Sequence, residues 1–421
     1  MRIFSNRWLG TVVLAGVYAL GLTGIIASSG SDGDGNDDNA CTLQIGAIAR
    51  ATNEMIPTND VWVGLLAKTG SGSYLRVVRV DDSGLEVNSY SVPRGTQNGL
   101  VKTLAVATDT DNAGDVYVGG DFEGGILRLN ADGTIDADFA VGAGFDGSVN
   151  SIVAADDGSG DIYVGGNFTQ YDGDRVSGAP GKTVSGLVRL RSDGLLDDVG
   201  FTAAPVADVE GIALIPGYIY SGGTTRIGTT RTAALWDTLG TLITDFTPAV
   251  AEIYAVARTM NGDLYAGGNS TTGVVRLDLL TGNNVGSFDS KNFDSSIQTI
   301  VRVSSSSDDI YVGGGFSTYD NLSANSIIRL AGDGSRRDTF VIGDGFTDNA
   351  NNPASTGLVE AIARAEDGTT DIYVGGRFAY YDGSRSNGIA RLNASGSLDQ
   401  DFDIDISVAG EPCVNDTGAA L

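Results

Sequence analysis

The hexapeptide Asp-Ile-Tyr-Val-Gly-Gly occurs three times in this chain, at 161–166, 309–314 and 371–376, and Asp-Val-Tyr-Val-Gly-Gly stands at 115–120. Looser copies lie at 218–223 (YIYSGG) and 263–268 (DLYAGG), and 60–64 (DVWVG) is a degenerate first copy. Six glycine pairs and the single Gly64 mark seven turns of one module. From Gly64 through Gly119, Gly165, Gly222, Gly267 and Gly313 to Gly375 the steps are 55, 46, 57, 45, 46 and 62 residues. That is a unit of about 45 residues with insertions, and such a unit needs its neighbours to cover its apolar faces.

Each module has four segments. The first alternates, as in VNSIVAA at 149–155, IQTIVRV at 297–303 and VEAIARA at 359–365. A polar turn leads to the Tyr-Val-Gly-Gly segment. A loop of variable length then reaches an Arg-Leu segment: ILRL at 126–129, LVRL at 187–190, VVRL at 274–277, IIRL at 327–330 and IARL at 389–392. A short Asp-Gly or Ser-Gly turn introduces the fourth, which ends at or near Asp-x-x-Phe, on Phe139, Phe201, Phe246, Phe288, Phe340 and Phe402. These stretches are too short for stable helices, and their period-two alternation with β-branched and aromatic residues is a strand signature. The 61 glycines against 8 prolines suit many strands joined by tight turns. The expected fold is all-β, a β-propeller of seven blades with four antiparallel strands each, spanning 41–413 as one unit with a tail at 414–421.

The amino terminus reads as an export signal. Arg2 and Arg7 precede an apolar run from Trp8 to Ala27, followed by Ser28, Ser29 and Gly30. Cleavage before Gly30 removes 1–29; the alternative is an uncleaved single-span membrane anchor, since the run exceeds the usual ~7–15 residues of a signal core. A lipoprotein reading of Leu22-Thr23-Gly24 fails because Ile25 stands where a lipidated cysteine is needed. The tract SDGDGNDDN at 31–39 buries nothing and makes 30–40 an acidic flexible linker. Export implies a periplasmic, cell-surface or extracellular location, with a membrane contact only through the retained N-terminal segment.

Charge narrows the partners. With 26 Lys+Arg against 53 Asp+Glu the net charge is −27, which repels phosphate backbones and makes nucleic acid an unsuitable partner. Histidine is absent, which excludes Ser-His-Asp and Cys-His catalysis and histidine-ligated zinc. The two cysteines, Cys41 and Cys413, flank the repeat array, and in an exported protein they are expected to form one disulfide stapling the first module to the last.

The pattern GG-x-F…YDG…G-I-x-RLN-x-DG-x-LD-x-x-F, clearest at 165–201, 375–402 and 313–340, resembles the bacterial delta-60 repeat family of predicted β-propellers. The likeness covers roughly 100–402. It fades over 41–99, where Gly64 is single and Arg79-Val80 stands for Arg-Leu, and over 206–246, where Ala234-Leu235 replaces that pair. The resemblance implies a propeller in an exported protein and supplies no common activity.

The glycine pairs are read as points of close backbone approach or bulges, because a phosphate loop would need a following helix, and Phe122, Phe168, Phe316 and Phe378 follow instead. Arg128, Arg189, Arg276, Arg329 and Arg391 are read as register-holding partners of Asp115, Asp161, Asp263, Asp309 and Asp371. Calcium loops are weighed at Asp32, Asp34 and Asp37 and at Asn130–Asp138; a hairpin turn on Gly133 explains the second more cheaply. No other cofactor and no metal site is expected. The candidate binding residues lie in the longer loops after the glycine pairs: Tyr171 and Asp172, Tyr319 and Asp320, and Tyr380, Tyr381 and Asp382. Exposed on one rim, they suit a protein or glycan ligand; the structural alternative packs the tyrosines between blades. The expected function is a non-catalytic binding or scaffold module. The alternatives are a carbohydrate-active enzyme using paired carboxylates and a self-assembling surface protein.

Overall fold

The computed structural model describes residues 42–50, 60–69, 72–93, 99–172, 181–203, 205–206, 208–227, 231–248, 250, 252–269, 272–349, 352, 354–365, 369–408 and 411–414, and no helix occurs among them. The expected signal segment, the linker and Cys41 lie outside the described residues, and with them the Cys41–Cys413 staple.

Seven principal sheets are present among the described residues. Their first strands are Thr42–Arg50, Val101–Val106, Ser148–Ala154, Val209–Ile215, Ile253–Arg258, Ile297–Ser304 and Leu358–Arg364. Each pairs antiparallel with a second strand carrying the glycine motif, from Val61–Thr69 in the first sheet to Ile372–Arg377 in the last. A third strand pairs on the outer side of the second, as Ile389–Leu392 does. The first strands contact one another in sequence, and the first of them closes back on the last. They surround a common axis, so the sheets are blades with their first strands innermost.

The core is divided among the gaps between blades. Each of seven apolar clusters draws on two adjacent blades, and one joins Ile45 and Ile48 of the first blade to Tyr373 and Phe402 of the seventh. A lone blade would expose both faces, so closure of the ring stabilises all of them together. The first glycine of each pair makes this packing possible. A Cβ on Gly165 would lie 2.6 Å from Val209 Cγ1 of the next blade, and one on Gly375 would lie 2.5 Å from Ile45 Cγ2 across the closure.

The fourth segment departs from expectation. Among the described residues only the first blade has a regular fourth strand, Glu86–Ser91. In the others it makes a single bridge, such as Leu129↔Ile135 or Leu392↔Leu398. The chain then turns so that the phenylalanine of Asp-x-x-Phe packs on the tyrosine of the second strand, as Phe139 does on Tyr117 at 5.3 Å. It crosses to the turn of the next blade, where Ala140 N–H donates to Asp193 O at 3.0 Å; Asp403 N–H does the same to Ser83 O at 2.9 Å and closes the ring. Burying this aromatic ring ends the strand early. Beyond the last blade Asp405–Val408 and Glu411–Val414 form a hairpin.

Candidate functional site

On the outer flank, cross-strand register sets the second-strand aromatic residue opposite the third-strand arginine: Tyr117 with Arg128, Tyr163 with Arg189, Tyr265 with Arg276, Tyr311 with Arg329 and Tyr373 with Arg391. Each of these guanidinium groups lies 5.5–5.9 Å from its tyrosine ring centre and pairs with the expected aspartate at 2.9–3.8 Å. The first blade follows suit with Trp62, Arg79 and Asp60, the ion pair measuring 2.7 Å. A second carboxylate, from the fourth segment, was not anticipated. Asp136 lies 2.5 Å from Arg128, and Asp399 lies 3.4 Å from Arg391. Because Arg128 turns to Asp136, burial pushes the Asp115 carboxyl up to about 6 despite the same arginine. In the sixth blade Arg337 occupies the fourth-segment position and grips Asp309 with two bonds of 2.8 Å. There burial acts upward, but the bonds from Arg337 and Arg329 prevail and hold the carboxyl low. Arg128 also donates to Ser192 O of the next blade at 2.8 Å, so the group clamps blades together. These polar repeats are scaffold.

The fourth blade lacks the clamp, and its register corrects the sequence alignment by one residue. Leu235, not Ala234, faces Tyr220, and Trp236 takes the place of the usual leucine. The Tyr220 hydroxyl is fully buried without a partner, and Trp236 Nε1–H donates to Ser221 Oγ at 2.9 Å.

The loop residues expected to form a rim are placed differently. Tyr171, Tyr319 and Tyr381 are only 1–2% exposed. Each packs in an aromatic trio, with Phe145 and Phe168, Phe293 and Phe316, or Phe346 and Phe378. Their hydroxyls donate to the carbonyls of Gly194, Gly334 and Gly396 in the third-to-fourth turn of the same blade. These loops therefore fold along the blade flank, and the rings are closed to a ligand. Asp320-Asn321 and Asp382-Gly383 form two-residue hairpin tips, with positive φ at all four positions. Asp320 and Asp382 are exposed, Asp172 and Tyr380 are half-buried, and the Asp382 carboxylate accepts from Asp344 N–H at 3.0 Å. The three tyrosines thus follow the structural alternative, because each aromatic body fills a gap beside the chain arriving from the previous blade. Gly133 has φ 84 and makes the expected hairpin turn, and no group of three or more acidic or cysteine side chains among the described residues is placed to hold a metal ion.

The axis holds what the sequence reading missed. Every first strand is irregular at the same place, with one residue left out of the pairing ladder: Gly46, Lys102, Asn150, Glu210, Tyr254, Gln298 and Glu360. These are β-bulges, which re-aim a side chain. The second glycine of each pair faces the bulge; a Cβ on Gly166 would lie 2.0 Å from Ser148 O and one on Gly376 2.0 Å from Leu358 O. All seven bulges lie at the start of the innermost strand and so ring one mouth of the axis. Lys102 Nζ reaches Asp121 Oδ1 at 3.0 Å and, in the next blade, Ser148 Oγ at 2.7 Å and Asn150 Oδ1 at 3.1 Å. Asn150 in turn donates to Val209 O of the blade after at 3.2 Å. Tyr254 bonds Glu252, and Arg377 pairs with Glu360 Oε1 at 3.1 Å.

Two carboxylates in this ring are incompletely satisfied. Glu360 is 2% exposed, and its Oε2 has no hydrogen-bond partner; Glu210 Oε2 is likewise buried and unbonded. Burial pushes Glu210 up to about 7; Lys102 opposes this, and Asp208 and Asp121 add to it. Burial also pushes Glu360 up to about 7 against the pull of Arg377 and Gln44. Buried carboxyls raised without a full set of partners make this ring a candidate functional position, whereas the raised Asp115 belongs to the bonded flank. A signal was present in the sequence: the second residue of VKTL, VNSI, VEGI, IYAV, IQTI and VEAI is polar in these six of the seven copies and different in nearly every one.

A family model described as "Domain of unknown function (DUF5122) beta-propeller" matches residues 113–139, 307–340 and 367–402, together less than a quarter of the chain. The crystal structure of the RRP9 WD40 repeats is similar at 10% identity and a TM-score of 0.51, covering 85% of this chain and 95% of that one. The chain is a β-propeller. Two further solved structures resemble it less. The WD40 β-propeller domain of Doa1 gives 13% identity and a TM-score of 0.41, over 69% of this chain and 94% of that one. A protein of unknown function from Bacteroides caccae gives 10% and 0.38, over 70% and 92%. No curated protein matches the sequence. At these identities the likeness carries the fold alone, and the chemistry of this propeller has to be read from its own axial mouth.

Proposed function

We propose that this propeller is an exported, non-catalytic binding module that takes its ligand, a protein or a glycan, at the axial mouth ringed by the bulge residues. The carrying observation is the pair of buried, unbonded Oε2 atoms of Glu210 and Glu360 in one ring. Around them stand Asp121, Asp208 and Glu252, and among the described residues the cations beside these carboxylates are Lys102 and Arg377, so acidic groups outnumber basic ones there. A ligand bearing ammonium or guanidinium groups would supply the missing donors, which favours a protein presenting a lysine or arginine over a neutral glycan. The flank residues Asp172, Asp320, Tyr380 and Asp382 then offer secondary contacts for a large partner.

The test is calorimetric titration with lysine- and arginine-bearing oligopeptides and, in parallel, with neutral oligosaccharides. Binding of the basic peptides, weakened tenfold or more in a Glu210→Gln/Glu360→Gln variant, supports the reading. Glycan binding indifferent to both substitutions sinks the cationic preference. Glycoside hydrolysis is the second reading, since a carboxyl held near 7 is suited to act as a general acid. Turnover of a polysaccharide abolished by Glu210→Gln or Glu360→Gln would replace the binding reading. Export predicts a mature protein beginning at Gly30 in the envelope or medium, and a cytoplasmic chain beginning at Met1 would refute it.

A further inference from the structure

The opposite end of the axis carries the reverse charge. Where each first strand finishes, the homologous position is Arg50 in the first blade, Val106, Ala154 and Leu214 in the next three, and Arg258, Arg302 and Arg364 in the last three. Since the first blade closes on the seventh, the four arginines form one unbroken arc on neighbouring innermost strands. In a chain with only 26 basic residues among 53 acidic ones, this concentration is out of proportion. The arginines of the flank are all matched to carboxylates; Arg258 and Arg302 of this arc are not, among the described residues. Arg302 makes no hydrogen bond or ion pair with any described residue, and its Nη1 is buried and unbonded. Arg258 likewise has no hydrogen-bond or ion-pair partner among the described residues. Burial disfavours the charge on Arg302, Arg364 and Arg258 add repulsion, and Asp308 offsets part of it while also facing Arg276 at 3.7 Å.

We propose that this arc is a binding site for a small, multiply charged oxyanion of the phosphate or polycarboxylate class, held by Arg258 and Arg302 on neighbouring innermost strands. Guanidinium groups on neighbouring strands offer paired N–H donors that match such oxygens two at a time, and a bound dianion would relieve the repulsion that Arg258 and Arg364 exert on Arg302. The acidic remainder of the protein repels extended polyanions, which restricts the occupant to a compact one. The site is independent of the ligand assigned to the other mouth.

Calorimetry at pH 7 and constant ionic strength, with phosphate, sulfate and citrate titrated separately, tests the proposal. Saturable binding of at least one, weakened tenfold or more by Arg302→Gln and by Arg258→Gln and less by Arg302→Lys, is expected. A preference for phosphate or for citrate distinguishes the two sources of oxyanion. Absence of saturable binding to all three overturns the proposal, and so does binding unchanged in folded Arg258→Gln, a variant that keeps the test open should Arg302→Gln fail to fold. Circular dichroism of each variant establishes folding before titration.

Discussion

The flank and the axis of each blade are formed by the same short strands, yet they are furnished on opposite plans. At the flank, an aromatic residue, arginine and aspartate recur in every blade but the fourth, and the arginine is bonded to carboxylates and, in the first and second blades, to the neighbouring turn. At the axial bulge, the homologous position changes from glycine to lysine, asparagine, glutamate, tyrosine and glutamine, and two of its carboxylates are left short of partners. The difference teaches how to divide polar residues in a repeat protein. A group repeated with the same carboxylate partner holds the modules together, whereas buried polar groups that vary within a fixed backbone feature are free to be chosen for a ligand.

The largest test of that division strikes the flank. Arg128→Ala would strand Asp115 and Asp136 and release the clamp to Ser192, costing about 3–5 kcal/mol in urea denaturation. A loss below 1 kcal/mol would mean that the clamp is ornamental. The axis should respond through pH. Glu210 and Glu360 bind their protons more tightly folded than unfolded. Their stabilisation is complete below about 4.5 and is lost as pH rises through about 7. The change is on the order of 3 kcal/mol per group, and Glu210→Gln and Glu360→Gln should each flatten that slope. A slope unchanged in both variants would remove the charge shortage from the mouth.

Smaller effects sharpen the same contrast. Gly165→Ala drives a methyl into Val209 and Ile212 of the next blade and should cost about 1–3 kcal/mol. A neutral outcome would show that the gap between the third and fourth blades is loose. Tyr381→Phe deletes the bond to Gly396 O and should cost about 1 kcal/mol while leaving ligand binding at the axial mouth unchanged. Lost binding with unaltered stability would return that tyrosine to the ligand surface.

Much of the fold was legible because its cause is local and repeated. The period of the glycine motif, the two-residue alternation and the Asp-Gly turns each state a backbone preference, and seven copies leave little room for another arrangement. The arginine–aspartate pairing was readable for the same reason. The fourth segment was read as a strand because Asp-x-x-Phe follows strand-like residues; only packing of Phe139 on Tyr117 shows why the chain leaves the sheet there. Tyr171, Tyr319 and Tyr381 looked available because a polar tip follows each of them. Their burial depends on phenylalanines that lie before the glycine motif and are brought alongside by folding.

By itself the sequence determined the module, its spacing, the strand character of its first three segments and the glycine-motif aspartate partner of each repeated arginine, since these follow from spacing and local chemistry. Tertiary structure alone decided what the variable polar positions face. Ring closure brings residues more than 300 positions apart, such as Arg50 and Arg364, onto neighbouring strands, and it gathers Lys102, Glu210 and Glu360 at one mouth. No local preference encodes that convergence; it arises because seven blades that cannot bury their faces alone must close around a common axis.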